Sequence, residues 1–119
     1  MEVTNLTILR TYNALRAIPA LKEAPKGVYA LAKNLRLLKP HIEDIEEGRK
    51  TSANEIFGEN TQPDPKSPGW KKFEDYCGQV DRQKVTVTVH MLTLADLNLA
   101  KNEVPHDPLA EIGWLISDF

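Results

Sequence analysis

Cysteine is almost missing from this chain of 119 residues, where Cys77 stands alone. An intrachain disulfide is therefore excluded, and so is a zinc site built on several thiolates. A lone thiol fits a reducing compartment, which makes the cytoplasm the expected location. An excess of positive charge is missing too. Fifteen Lys and Arg stand against seventeen Asp and Glu, for a net charge of -2. No basic patch of the kind that grips a phosphate backbone stands out, so nucleic acid is not an expected partner. Such a role would need a face assembled from Arg10, Arg16, Lys22, Lys33 and Arg36. No apolar run approaches the roughly 18 to 20 residues of a membrane span, and no charged leader precedes an apolar core, so a membrane is not expected either. Phosphate-binding glycine loops, dinucleotide fingerprints, serine elbows and metalloprotease motifs are all absent, which weighs against an enzyme.

What is present is an ordinary globular balance, 41% apolar and 27% charged, in a length that suits one domain over residues 1–119. Its organising stretch runs from Val28 to Gly58. Val28, Leu31, Leu35, Leu38, Ile42 and Ile45 recur at steps of three and four, one aliphatic stripe along a helix. The register passes through polar Arg49 and Ser52 and returns at Ile56, so the seam weakens in its second half. Thirty such residues span about 45 Å at a rise of ~1.5 Å each. A compact chain of this size is only about 35 Å across. The helix must bend, or its end must be covered by another chain.

Pro40 is the candidate bend. It removes one helical hydrogen bond and disfavours helical dihedrals at Lys39, so a stop at Leu38 and a restart at Pro40 is one outcome. The apolar register crosses Pro40 unbroken, however, which predicts a kinked but continuous helix.

Around this spine the pattern predicts a mainly helical α+β protein. Thr4 or Thr7 caps a first helix carrying Ile8, Leu9, Tyr12, Leu15 and Ile18 on one face, although the alternation Val3 to Ile8 leaves a short strand open. A short connection, Pro19 to Gly27, makes this helix and the spine a hairpin. Gly48 weakens the spine, and Gly58 is a suitable C-terminal cap. Residues 59–69, with Pro63, Pro65 and Pro68, form a flexible loop. Trp70, Phe73, Tyr76 and Cys77 make a short aromatic helix closed by Gly78. Lys84 to Leu92 alternates as a strand, with Val85, Val87, Val89 and Met91 on one side, and Thr86, Thr88 and His90 on the wet side. Its partner is Val3 to Ile8, the Gln79 to Gln83 region, or a second subunit. Thr93 and Asp96 form a capping box for a short helix, and Asp107 with Pro108 opens a last helix running to the end through Leu109, Ile112, Leu115 and Ile116.

Two clusters invite a chemical reading. His41, Glu43, Asp44, Glu46 and Glu47 lie on successive turns, the donor set of a hard-metal or hydrolytic site. Their inward neighbours are Ile42 and Ile45, so a solvated acidic face is the simpler expectation, with no metal or other cofactor. Cys77 with His90 or His106 would make a nucleophile and base, but nothing in their spacing joins them.

The stronger signal is for contact with another protein. A spine too long for its globule, a strand short of partners, and aromatic residues at Trp70, Tyr76 and Trp114 suggest apolar surface completed by another chain. The acidic Glu43, Glu46 and Glu47 offer a complementary charged face. Val28-Tyr29-Ala30-Leu31-Ala32-Lys33-Asn34, Glu46 to Lys50, the valine strand and Leu109 to Ile116 resemble small proteins of bacteriophage and prophage genomes. That resemblance implies a non-enzymatic accessory role, in assembly or as an inhibitor of a host or defence complex. The expectation is a protein-protein interaction module that forms a homo-oligomer. The alternative is a metal-dependent or hydrolytic enzyme built on His41 to Glu47.

Overall fold

A computed structural model describes residues 1–119 throughout. The elements run β1 (Glu2–Thr4), α1 (Asn5–Ala17), α2 (Pro25–Phe57), α3 (Trp70–Arg82), β2 (Lys84–Thr86) and α4 (His106–Glu111), with 3-10 turns at Leu94–Leu97 and Gly113–Leu115. The chain is a mainly helical α+β protein. Both alternatives for its first residues are realised in succession. Glu2–Thr4 is a strand, and the Thr4 hydroxyl then caps α1 by accepting from the Thr7 N–H at 3.1 Å.

The spine is continuous through Pro40, which lies on its exposed side. It begins at Pro25, three residues before the expected start, and ends at Phe57. Gly58 sits at φ 93°, and its N–H caps the Asn54 carbonyl at 2.9 Å. Thirty-three residues at ~1.5 Å each make a rod of about 50 Å, and the molecule measures 52 × 25 × 19 Å. Its radius of gyration is 17.1 Å, against roughly 13.5 Å for a compact chain of this length. The rod therefore sets the long dimension of the whole protein.

The core occupies only one end of that rod. Ile8, Leu15, Leu31, Leu38 and Ile42 meet Val87, Leu92, Leu97, Ile112, Leu115 and Ile116 there. One expectation about the stripe is corrected. Val28 is 49% exposed, and Asn34 is fully buried on the inward face instead, because Asn34 has a backbone partner in the core and Val28 looks outward beside the turn. Beyond Ile45 the only buried residue of α2 is Ser52.

The valine stretch is a strand for three residues, not nine. Val85 lies opposite Val3 in the antiparallel β1–β2 pair. After Thr86 the backbone finds other partners: Val87 bonds Met1, His90 bonds the Asn34 side chain, and Leu92 bonds Leu115 and Ser117. The inward alternation holds through Val89 and then slips by one residue, leaving Met91 exposed and Leu92 buried. The other corrections have similar causes. α3 runs through Gly78 to Arg82, where Asn5 caps its end by donating from its side chain to the Val80 carbonyl and from its backbone N–H to the Gln83 carbonyl. The last helix starts at His106, stops at Glu111 and gives way to a 3-10 turn. That turn lets Ile116 bridge Leu92.

Candidate protein-binding site

The second half of α2 and α3 form an antiparallel two-helix arm beyond the core. Residues 58–69 make the bend at its tip. Gly69 packs on Ile56, Phe57 stacks edge-on to Phe73 at 5.6 Å, and Arg49 bonds Asp81 at 2.8 Å nearer the core. Tyr76 crosses the arm at Gly48. An ideal Cβ on Gly48 would lie 2.6 Å from the tyrosine hydroxyl. A glycine that looks like a weakness in the helix is thus the seat for an aromatic side chain.

No residue of α3 is buried. Phe73, Tyr76, Cys77 and Val80 turn toward α2 while Trp70 packs on Phe73, and all five remain half-exposed, because α2 is the only layer covering most of their length. Trp70 tilts against Phe73 at 5.8 Å and its indole N–H donates to Glu74 at 3.3 Å. Along the arm runs an open groove of about 530 Å³. Asp44, Glu47, Thr51 and Glu55 line one wall, Gly48, Ser52 and Ile56 the floor, and Lys72 and Tyr76 the other wall. Three carboxylates against one ammonium give the groove an acidic character that suits a cationic partner.

The residues expected to bind a partner do not all come together. Trp70, Tyr76 and Glu47 share the arm. Glu43 and Glu46 are exposed on α2 outside the groove lining. Trp114 lies far from them, half-buried against the core, with its N–H donating to the Thr11 hydroxyl at 2.8 Å. Glu55 was not singled out from the sequence, although its spacing of four from Thr51 and eight from Glu47 places all three on one helical face.

The chemical clusters are also located. His41 and Asp44 line a small cleft with Asn5, Tyr76 and Gln83, while Glu43, Glu46 and Glu47 point elsewhere, and no three metal-ligating side chains are gathered. Cys77 is half-buried beside Arg49 and Asp81. Burial pushes its thiol pKa up, the Arg49 charge opposes that, and Asp81 adds to it. A thiol held protonated in this way is a poor nucleophile. His90 packs edge-on against Tyr29 at 5.4 Å, and His106 is exposed next to Asp107.

Fold and site together define a small α+β protein with a cantilevered helical arm. No helix is long and apolar enough to cross a membrane. No family model, curated protein or solved structure matches the chain.

Proposed function

We propose that this protein acts by binding other protein chains and not by catalysis, and that the arm is its binding surface. One observation carries the reading: α3 presents three aromatic side chains, Trp70, Phe73 and Tyr76, along its first two turns, none of them buried. An isolated monomer gains little from such a row, because burying each aromatic side chain fully would contribute about 1.5 to 3 kcal/mol. A partner helix laid along the groove and over the adjoining face of α3 would cover Tyr76 and Ile56 and set its own cationic side chains against Asp44, Glu47 and Glu55. The resemblance to bacteriophage and prophage proteins supports an accessory role in assembly or in blocking a host or defence complex. The reduced thiol Cys77 fits work in the cytoplasm. Self-association belongs to the same reading.

The test uses the two tryptophans. Trp114→Phe leaves Trp70 as the sole reporter on the arm. Titration with an arginine- and leucine-rich amphipathic peptide is expected to shift its emission to shorter wavelength with saturation. Glu47→Lys with Glu55→Lys is expected to weaken that binding at least tenfold. An unresponsive Trp70, or binding indifferent to the charge reversals, would overturn the proposal.

A further inference from the structure

The outer side of α2 carries a second pattern, which shares Glu47 with the wall of the arm groove. Tyr29, Ala32, Arg36, Pro40, Glu43, Glu47 and Lys50 recur at steps of three and four, and all seven are exposed. On this line the Tyr29 ring meets His90 edge-on at 5.4 Å and the Lys33 ammonium at 5.6 Å, and Glu47 borders the arm groove. The helix's charges are segregated. Lys26, Lys33, Arg36 and Lys39 occupy the first half of the helix without one acidic residue, and Glu43, Asp44, Glu46 and Glu47 follow within the next two turns. That order opposes the helix dipole, which favours acidic residues near the N-terminus and basic ones near the C-terminus. None of these eight side chains is in an ion pair within the molecule, whose only pairs are Arg49 with Asp81 and His106 with Asp107. The helix thus holds like charges at neighbouring positions, Lys33, Arg36 and Lys39 three apart and Glu43 with Glu46 and Glu47, without a close ion pair inside the molecule.

We infer that this line is an isologous interface on which α2 pairs antiparallel with α2 of a second copy, about a two-fold axis at the Lys39–Pro40 bond. An antiparallel pair places opposite one another the positions equally distant from that bond. Arg36 then meets Glu43 of the second copy, and by symmetry the same pair forms twice. Tyr29 meets Lys50, an aromatic face against a cation. Ala32 and Pro40 are short enough to let the helices approach. Two opposed dipoles add to the match, and the basic and acidic halves neutralise each other along the rod. The pairing deepens the self-association within the proposed function and rests on that reading. Its test at Arg36 and Glu43 touches neither Trp70 nor any residue of the groove lining, so its failure and the arm's are separately visible.

The decisive experiment is sedimentation equilibrium on the whole chain across salt from about 0.02 to 0.5 M. The wild type is expected to show a dimer that weakens as salt rises. Arg36→Glu and Glu43→Arg are each expected to weaken it at least tenfold, because each sets like charges face to face twice. An equimolar mixture of the two variants, and the double variant R36E/E43R, are expected to recover the dimer, since every facing pair is again of opposite sign. Both positions are exposed, so unchanged helical circular dichroism in each variant is the folding control. A monomeric wild type at low salt, single variants that associate like the wild type, or a mixture that stays monomeric would each overturn the inference.

Discussion

The Asn34 side chain closes a two-bond ring with the backbone of His90: its Nδ2 donates to the His90 carbonyl at 2.8 Å, and the His90 N–H donates to its Oδ1 at 2.8 Å. Asn34 thereby does for the 87–91 segment what a neighbouring strand would do, and does it from a fully buried position on α2. Asn102 repeats the device at Lys22, accepting from its N–H at 2.6 Å and donating to its carbonyl at 2.8 Å. Each amide ties two segments far apart in sequence.

Asn34→Ala is expected to destabilise the protein by about 2 to 3 kcal/mol, because two partly buried backbone groups lose their partners together. Urea unfolding measures it: the midpoint should fall with the slope unchanged. Asn34→Asp should do no better, since a carboxylate still accepts from the His90 N–H but faces its carbonyl with a second acceptor.

Two glycines of the same helix should respond oppositely to alanine. At Gly27 an ideal Cβ would collide with the Asp96 carbonyl oxygen, which belongs to the backbone of a capped 3-10 turn. Gly27→Ala is expected to cost about 2 kcal/mol or more despite the better helix propensity of alanine. At Gly48 the obstacle is only the hydroxyl of Tyr76, and the next ring atom is at 3.9 Å. In a Tyr76→Phe background, Gly48→Ala should stabilise by roughly 0.5 to 1 kcal/mol. Thermal unfolding of the wild type, G27A, Y76F and G48A/Y76F, compared in pairs, checks both signs.

Hydrogen exchange should divide the spine. Ile45 and Ser52 are the only buried side chains between residues 43 and 86, so the arm opens with little loss of apolar burial. Amides of α3 and of residues 46–57 are expected to exchange through a lower-energy opening than those of α1 and residues 28–42. Arg49→Met, which removes the ion pair to Asp81, should widen that gap. Uniform protection along all of α2 would contradict it.

Cys77 should alkylate slowly, with a rate that climbs at a higher pH than for a free thiol. Arg49→Met should move that climb higher still, because the guanidinium is the one neighbour that lowers the thiol pKa. Burial favours the neutral form, so the folded state keeps its proton to higher pH than the unfolded one. The stability this contributes is intact below the unfolded thiol's value, about 8.5, and is lost as pH rises through the folded value. A pH series of iodoacetamide reaction rates reads the first effect directly.

Much of the fold was legible because it depends on local spacing. The capping box at Thr93 and Asp96 closes as read. The same holds for the Gly58 cap and the aliphatic register across Pro40. Where reading failed, the cause lay far away in the chain. The alternation at 84–92 is strand-like throughout, yet its pairing partner β1 is only three residues long. Beyond that, bonds from Asn34 and Leu115 set the backbone instead. Gly78 had the look of a helix end, but Asn5 bonds the backbone at Val80 and Gln83 beyond it. The arm groove was half legible: Glu47 and Tyr76 could be singled out, whereas their sharing of one groove depends on Gly48 admitting the tyrosine.

The sequence by itself determined a long continuous helix, its cap, its acidic second half and the aromatic helix that follows, since periodicity and capping act over a few residues. Only the tertiary structure decided which end of that rod became the core and which became an arm. Apolar residues from positions 87 to 116 return to the first half of α2 and to α1. None is left to cover the second half. Burial is a property of where distant segments meet, and one helix's pattern does not contain it.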